Sequence, residues 1–192
     1  DRINTASAAI TRTALVNGDF QYPSDSVIQP LRSWSGNEDS YNISPDHGTL
    51  NTNIDWLGSA VSIPGFDKDK FGWRSTQTLV EPGVMEIQRH DLDDPHNLYV
   101  ELCAFEAGTA IYQDINTVPG SIYKWSLRHS SLSRDYVDKM QVLIGAVGKE
   151  TVSPATRIAS ATGQTIGETS DIIETPNNYE TQDENRPMWG TY

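Results

Sequence analysis

The chain has 192 residues, enough for one large domain before two small ones, and carries 26 acidic against 14 basic residues for a net charge of −12. That balance, with no clustered Lys or Arg, argues against nucleic acid and anionic membranes and is compatible with neutral sugars, cations or a basic protein partner. A single cysteine, Cys103, excludes an intrachain disulfide, and no run approaches the roughly 18 apolar residues of a membrane span.

Taken in chain order, residues 1–12 are small and polar and read as a leader, so the expected domain runs over 13–192. Thr13 to Phe20 is the first expected strand, with Asn17-Gly18-Asp19 as its bulge or turn. Residues 21–71 hold Pro23, Pro30, Pro45 and Pro64 among many Asn, Asp, Ser and Gly residues. They read as a loop-dominated excursion with one or two short edge strands, folded onto the domain by Trp34 and Trp56. From Phe71 onward the pattern is β. Expected strands begin at Gly72 and then cover Val84–Arg89, Leu98–Ala104, Thr109–Ile115, Ser121–Ser130 and Lys139–Val147. A short helix is expected near Ser153–Ala161, with Ser153 as N-cap and Pro154 in its first turn. Arg186–Tyr192 reads as the beginning of a last strand. Turn signals every 10–15 residues or so, with no helical period between them, predict an all-β antiparallel sandwich or barrel.

Strand side chains alternate faces, so register assigns the polar groups. Leu98, Val100 and Leu102 share one face and Tyr99, Glu101 and Cys103 the other; Met85 and Ile87 oppose Glu86 and Gln88. Tyr123, Trp125, Leu127 and His129 oppose Lys124, Ser126 and Arg128. If these strands are neighbours, one face collects Glu86, Gln88, Tyr99, Glu101, Lys124, Ser126 and Arg128. Charged donors and acceptors beside a Tyr ring suit a polyhydroxylated ligand. The competing reading is a solvated outer face whose cross-strand ion pairs contribute little.

Other candidates are weaker. Asp19 offers an oxygen ligand for calcium, against a simple bulge that needs only Gly18. Asp67-Lys68-Asp69 begins a calcium loop, but Phe71 and Thr78 stand where further ligands belong. Asp91, Asp93 and Asp94 with His90 and His96 read as a solvated acidic turn before a metal site. Glu86 and Glu101 could form a glycosidase pair, although carboxylates near Arg128 would stay ionised. No Ser-His-Asp order, zincin helix, phosphate loop or dinucleotide fingerprint is present.

An ordered set of short motifs runs along the chain: Val16-Asn17-Gly18-Asp19-Phe20, Gly72-Trp73, Glu86-Ile87, Glu101-Leu102, Tyr112-Gln113-Asp114, Pro119-Gly120, Trp125-Ser126, His129, Asp138-Lys139-Met140, Ile144-Gly145 and Trp189-Gly190-Thr191-Tyr192. The set resembles domains of large cell-wall-anchored surface proteins of Gram-positive bacteria, similar to galactose-binding-type jelly rolls and carbohydrate-binding modules. The resemblance implies a jelly-roll β-sandwich with a loop-rich insertion near its N-terminus. It also implies a non-catalytic adhesin domain on the bacterial surface, with a glycan or host glycoprotein as partner and a structural calcium near the first strand. The alternatives it leaves are a protein-binding or stalk-type domain and, further off, a glycoside hydrolase. Cys103 departs from the family pattern, in which a polar residue is more usual. The family continues past Trp-Gly-x-Tyr, so a completing strand would come from a further segment or a second chain. Some Gram-positive adhesins carry a Cys–Gln thioester, for which Cys103 and Gln113 are formal partners, but the flanking pattern is missing.

Overall fold

A computed structural model describes residues 12–31, 40–51, 60–79, 81–88, 97–102, 105–132, 137–176 and 188–192. Cys103, Trp34, Trp56 and the acidic turn from His90 to His96 lie outside the described residues, as does most of the expected leader. Every described ladder is antiparallel, so the all-β expectation holds at that level. The described residues divide between two compact units, 12–118 and 119–192.

The N-terminal unit contains α1 (Asp25–Ile28), β1 (Ser40–Ser44), β2 (Thr49–Asn51), β3 (Val61–Ser62), α2 (Lys68–Phe71), β4 (Arg74–Ser75), β5 (Met85–Gln88), β6 (Tyr99–Glu101) and β7 (Ile111–Tyr112). Five strands form one sheet in the order β3-β2-β1-β5-β6, and β4 pairs with β7 apart from it. The expected excursion is therefore not peripheral. It supplies β1, the middle strand of the main sheet, together with β2 and β3. The reason lies in Ser40-Tyr41-Asn42-Ile43-Ser44, whose polar and apolar residues alternate strictly despite a loop-like composition.

That alternation sorts the sheet into two faces. Ile43 lies opposite Leu50 and Met85, Tyr41 opposite Ile87, and Ile87 opposite Val100. These side chains join Ile28, Ile63, Phe71 and Leu98 in one core, with Phe20, Tyr22, Phe66 and Trp73 packed around it. Each fully buried large side chain contributes about 1.5–3 kcal/mol of hydrophobic stabilisation. Phe20 and Trp73 stack with ring centroids 5.2 Å apart.

Residues Thr13–Phe20 form no strand. Asn17 sits at φ +49°, which breaks an extended run. Its side chain instead clamps Tyr22, accepting from the Tyr22 N–H at 2.8 Å and donating to the Tyr22 carbonyl at 3.0 Å, while Trp73 Nε1 donates to the Asn17 carbonyl at 2.8 Å. Gln113 clamps Val16 in the same way, with Nε2 donating to the Val16 carbonyl at 2.7 Å and Oε1 accepting from its N–H at 3.1 Å. Both side-chain amides thus take the place of a strand ladder. Asp67 caps α2 by accepting from the backbone N–H groups of Asp69 and Lys70, and Gly72 ends it at φ +74°. A Cβ on Gly72 would collide with Val16 Cγ2, so space as well as conformation favours glycine there.

The C-terminal unit contains β8 (Arg128–His129), β9 (Lys139–Met140), β10 (Val142–Ile144), β11 (Thr151–Ser153), β12 (Ala155–Thr156), β13 (Ala159–Ser160), β14 (Thr169–Ser170), β15 (Ile173–Glu174) and β16 (Gly190–Thr191). They pair as β13-β16-β8, β10-β11, β12-β14 and β9-β15. The helix expected at Ser153–Ala161 is replaced by β11, β12 and β13. Thr151, Val152 and Thr156 are β-branched, which favours strands, and Thr156 pairs with Thr169 both along the ladder and through a 2.7 Å hydroxyl contact. Of the expected strand Ser121–Ser130, only β8 forms. Alternation nevertheless extends before it, because Trp125 and Leu127 pack inward while Lys124, Ser126 and Arg128 are exposed.

The apolar core of this unit is small: Ala155, Ile173 and Tyr192, with Trp125, Leu127, Met140 and Val142 against them. A buried polar chain supplements it. His129 Nδ1 contacts Thr175 Oγ1 at 3.1 Å, and Thr175 Oγ1 contacts the Tyr192 hydroxyl at 2.9 Å. Arg157 Nε donates to that hydroxyl at 3.2 Å, while Arg157 Nη1 donates to Glu168 Oε2 at 2.6 Å and to the Thr165 carbonyl at 3.1 Å. Burial pulls the His129 imidazole down to about 4, against the opposing pull of Asp138.

Candidate functional site

The second face of the five-stranded sheet is polar and largely buried. Register sets out two rows across it. In one, Asn51 lies opposite Asn42, Asn42 opposite Glu86, and Glu86 opposite Glu101. In the other, Ser40 lies opposite Gln88 and Gln88 opposite Tyr99. Neighbouring strands in such rows are about 4.8 Å apart. Asn42 is 3% exposed, Asn51 1% and Gln88 5%. An ordinary wet face would leave these residues open to water.

Glu86 and Glu101 are linked through a single atom. Gln88 Nε2 donates to Glu86 Oε1 at 2.8 Å and to Glu101 Oε2 at 2.7 Å. Burial raises the Glu86 carboxyl above its ordinary range, and a hydrogen bond from Ser40 opposes the rise. Two buried acceptors on this face, Asn42 Oδ1 and Gln88 Oε1, have no hydrogen-bond partner among the described residues. Buried polar atoms are nearly always paired, so each unpaired one calls for a physical reason.

Of the seven residues expected on one face, this sheet brings together Glu86, Gln88, Tyr99 and Glu101. Lys124, Ser126 and Arg128 belong to the C-terminal unit. There the Arg128 guanidinium stands over the Trp189 ring, 4.7 Å from its centroid. Within β5 and β6 the expected polar residues share one face, whereas Tyr123, expected beside Trp125 and Leu127, is exposed; β6 finds its neighbour in β5 and β8 finds its neighbour in β16. Strand adjacency is a tertiary property that alternation does not contain.

Sequence reasoning missed Ser40, Asn42 and Asn51, whose signal was the alternation in β1 and β2. It also missed Trp189 beneath Arg128, for which no local signal exists. Asp19 is placed on the exposed turn after Asn17, where its Oδ1 accepts from the Gln21 N–H at 3.3 Å. Asp67 is committed to capping α2, and Gln113 to holding Val16. Among the described residues no group of three or more His, Cys, Asp or Glu side chains gathers around one point, and no helix is long and apolar enough to cross a membrane. No protein-family model matches the chain, and neither a curated protein nor a solved structure is detectably similar to it.

Proposed function

We propose that this chain is a non-catalytic glycan-binding domain of a bacterial surface adhesin, built on a jelly-roll plan. The observation that carries the reading is the buried polar face of the five-stranded sheet. There Glu86, Gln88 and Glu101 form one hydrogen-bonded group, with Tyr99 in the next register position. Acceptor-rich side chains beside an aromatic ring are the equipment for gripping hydroxyl groups and packing on a sugar's C–H face. Arg128 over Trp189 adds an exposed cation–aromatic pair of similar character in the other unit.

Binding is preferred to hydrolysis for a geometric reason. In a glycosidase the scissile bond lies between the two carboxyl groups. Here the Gln88 amide fills the gap between Glu86 and Glu101. The motif set quoted above supplies the surface-adhesin part of the reading, and with it the extracellular, wall-anchored location.

A glycan array probed with the intact chain tests the proposal. Retention of at least one glycan class is expected, reduced about tenfold or more by Gln88→Ala, since that change removes the link between two ligand-gripping carboxylates. Absence of any hit at millimolar glycan would sink the reading. Exposed apolar side chains favour a second one, a protein-binding domain. Ile122 is 98% exposed, and Leu143, Ile144 and Val147 also face outward on or beside β10. Specific capture of a deglycosylated host matrix protein would support that alternative.

A further inference from the structure

We infer that the outer face of the β13-β16-β8 sheet is a site for acidic sugars, where Arg128 takes the carboxylate of a uronic acid and Trp189 lies against its ring. Such a site rests on the glycan-binding reading and extends it to a second face with a ligand class of its own. Register places the side chains. Arg128 lies opposite Thr191, and Thr191 opposite Ala159. Trp189 precedes Thr191 by two residues and shares its face. The Ala161 N–H donates to the Trp189 carbonyl at 3.0 Å, so a second small residue stands on the β13 side. Two exposed alanines therefore flank Trp189 and Thr191 on one side and a guanidinium flanks them on the other.

Charge selects the ligand. No register position of this face holds a carboxylate, in a chain with 26 acidic residues. The excess of acid lies elsewhere: residues 1–118 carry 17 acidic and 7 basic side chains, residues 119–192 carry 9 and 7. Arg128 is exposed, and among the described residues its guanidinium forms no ion pair and no hydrogen bond. It meets the Trp189 ring instead, 4.7 Å from the centroid. Lys139 and Arg157 of the same unit each hold a glutamate. Lys124, exposed on the Arg128 side of the run before β8, likewise has no anionic partner among the described residues and adds a second cation.

Stacking on an indole restricts the guanidinium before any ligand arrives, and leaves its N–H edge for a bidentate pair with a carboxylate. The half-buried indole offers the sugar's C–H face an apolar surface beside that pair. Thr191 and Ser126 add hydroxyls on the same side, suited to the ring's own hydroxyl groups. A neutral sugar would leave the guanidinium without its counter-charge, and a plain carboxylate would leave the indole and the hydroxyls unused. The combination therefore favours a ligand that carries both.

Titration of the intact chain with sodium glucuronate, followed by NMR at the Arg128 Nε–H and Trp189 indole N–H, is the test. A saturable shift with a Kd of about 1 mM is expected for so small a ligand. Glucose and sodium acetate, which each carry half of the recognised group, should bind about tenfold or more weakly. Arg128→Gln should weaken glucuronate binding about tenfold or more, and Arg128→Lys should recover little of it, because an ammonium lacks the fork geometry. Arg74→Gln removes the same charge from an exposed position on β4 and should leave binding unaltered. No shift in the unmutated chain at about 20 mM glucuronate overturns the inference without reliance on any variant. So do equal affinities for acetate and glucuronate, which would mark an unselective anion contact, and binding that survives Arg128→Gln. Neutral glycans retained on the array with no glucuronate binding remove this site and leave the buried sheet face standing. Glucuronate binding lost in Arg128→Gln, with array retention unchanged by Gln88→Ala, supports this site and removes that face.

Discussion

The two units bury polar groups in opposite ways. In the C-terminal unit, His129, Thr175, Tyr192, Arg157 and Glu168 form a chain in which each member meets the next. In the N-terminal unit, the polar face of the sheet leaves Asn42 Oδ1 and Gln88 Oε1 without partners among the described residues. A closed network of donors and acceptors is a way of holding a fold together. Buried polar atoms left without partners cost stability instead. The large apolar core behind the N-terminal sheet can bear that cost, whereas the small core of the C-terminal unit makes its polar chain structural.

The largest expected effect probes that support. Phe71→Ala removes a fully buried ring from the N-terminal core, and urea unfolding should register a loss of about 3–5 kcal/mol. A loss under about 1 kcal/mol would mean that the apolar core does not carry the sheet.

Acidification probes the other unit. The His129 imidazole is lowered from 6.5 to about 4, so its neutral form is favoured by folding. Its contribution is fully present above pH 6.5 and is lost as pH falls toward 4, amounting to about 3 kcal/mol over the whole window. An NMR titration of the four histidines should find one that stays neutral down to about pH 4, and His129→Gln should remove that resonance. Titration of His129 near 6.5 would show that it is not buried in a closed network.

Removing the guanidinium is the next test. Arg157→Ala removes one donor from the Tyr192 hydroxyl, which keeps Thr175 Oγ1 and the Glu174 carbonyl, and takes the side-chain donor from the Thr165 carbonyl. Glu168 is half-exposed, so the ion-pair part is screened by water, and the total loss should be about 2 kcal/mol. Arg157→Lys should not restore it, because a single ammonium cannot reach three acceptors in the guanidinium's fork geometry.

The smallest effect has the opposite pH sign. Folding raises the Glu86 carboxyl, so its contribution is fully present below 4.5 and is lost as pH rises through the folded value. Glu86→Gln should therefore stabilise the chain slightly at and above neutral pH, by under about 1 kcal/mol. Destabilisation there would mean that the charge of Glu86 is already compensated.

Much of this molecule is legible in local pattern. Alternation identified Met85 and Ile87 as core and Glu86 and Gln88 as their opposites, and it separated Trp125 and Leu127 from Lys124, Ser126 and Arg128. It did so because a strand's side chains point to opposite faces whatever the partner strand. Composition misled where it was weighed above pattern. The Asn- and Ser-rich stretch from Ser40 to Asn51 reads as loop, yet its alternation makes β1 and β2, and its asparagines complete the polar row. Pro154 suggested a helix start in a segment whose threonines and valine pair as strands.

What the sequence by itself determined is the antiparallel β character and the face on which each side chain of a strand lies, because both follow from backbone geometry and the period of two. Only the tertiary structure decided which strands are neighbours. That choice set Glu86 against Glu101 with Gln88 between them, and gave Arg128 to Trp189 in the other unit. The physical reason is that strand pairing is selected by long-range burial of whole faces, and no run of ten residues records which distant run will cover it.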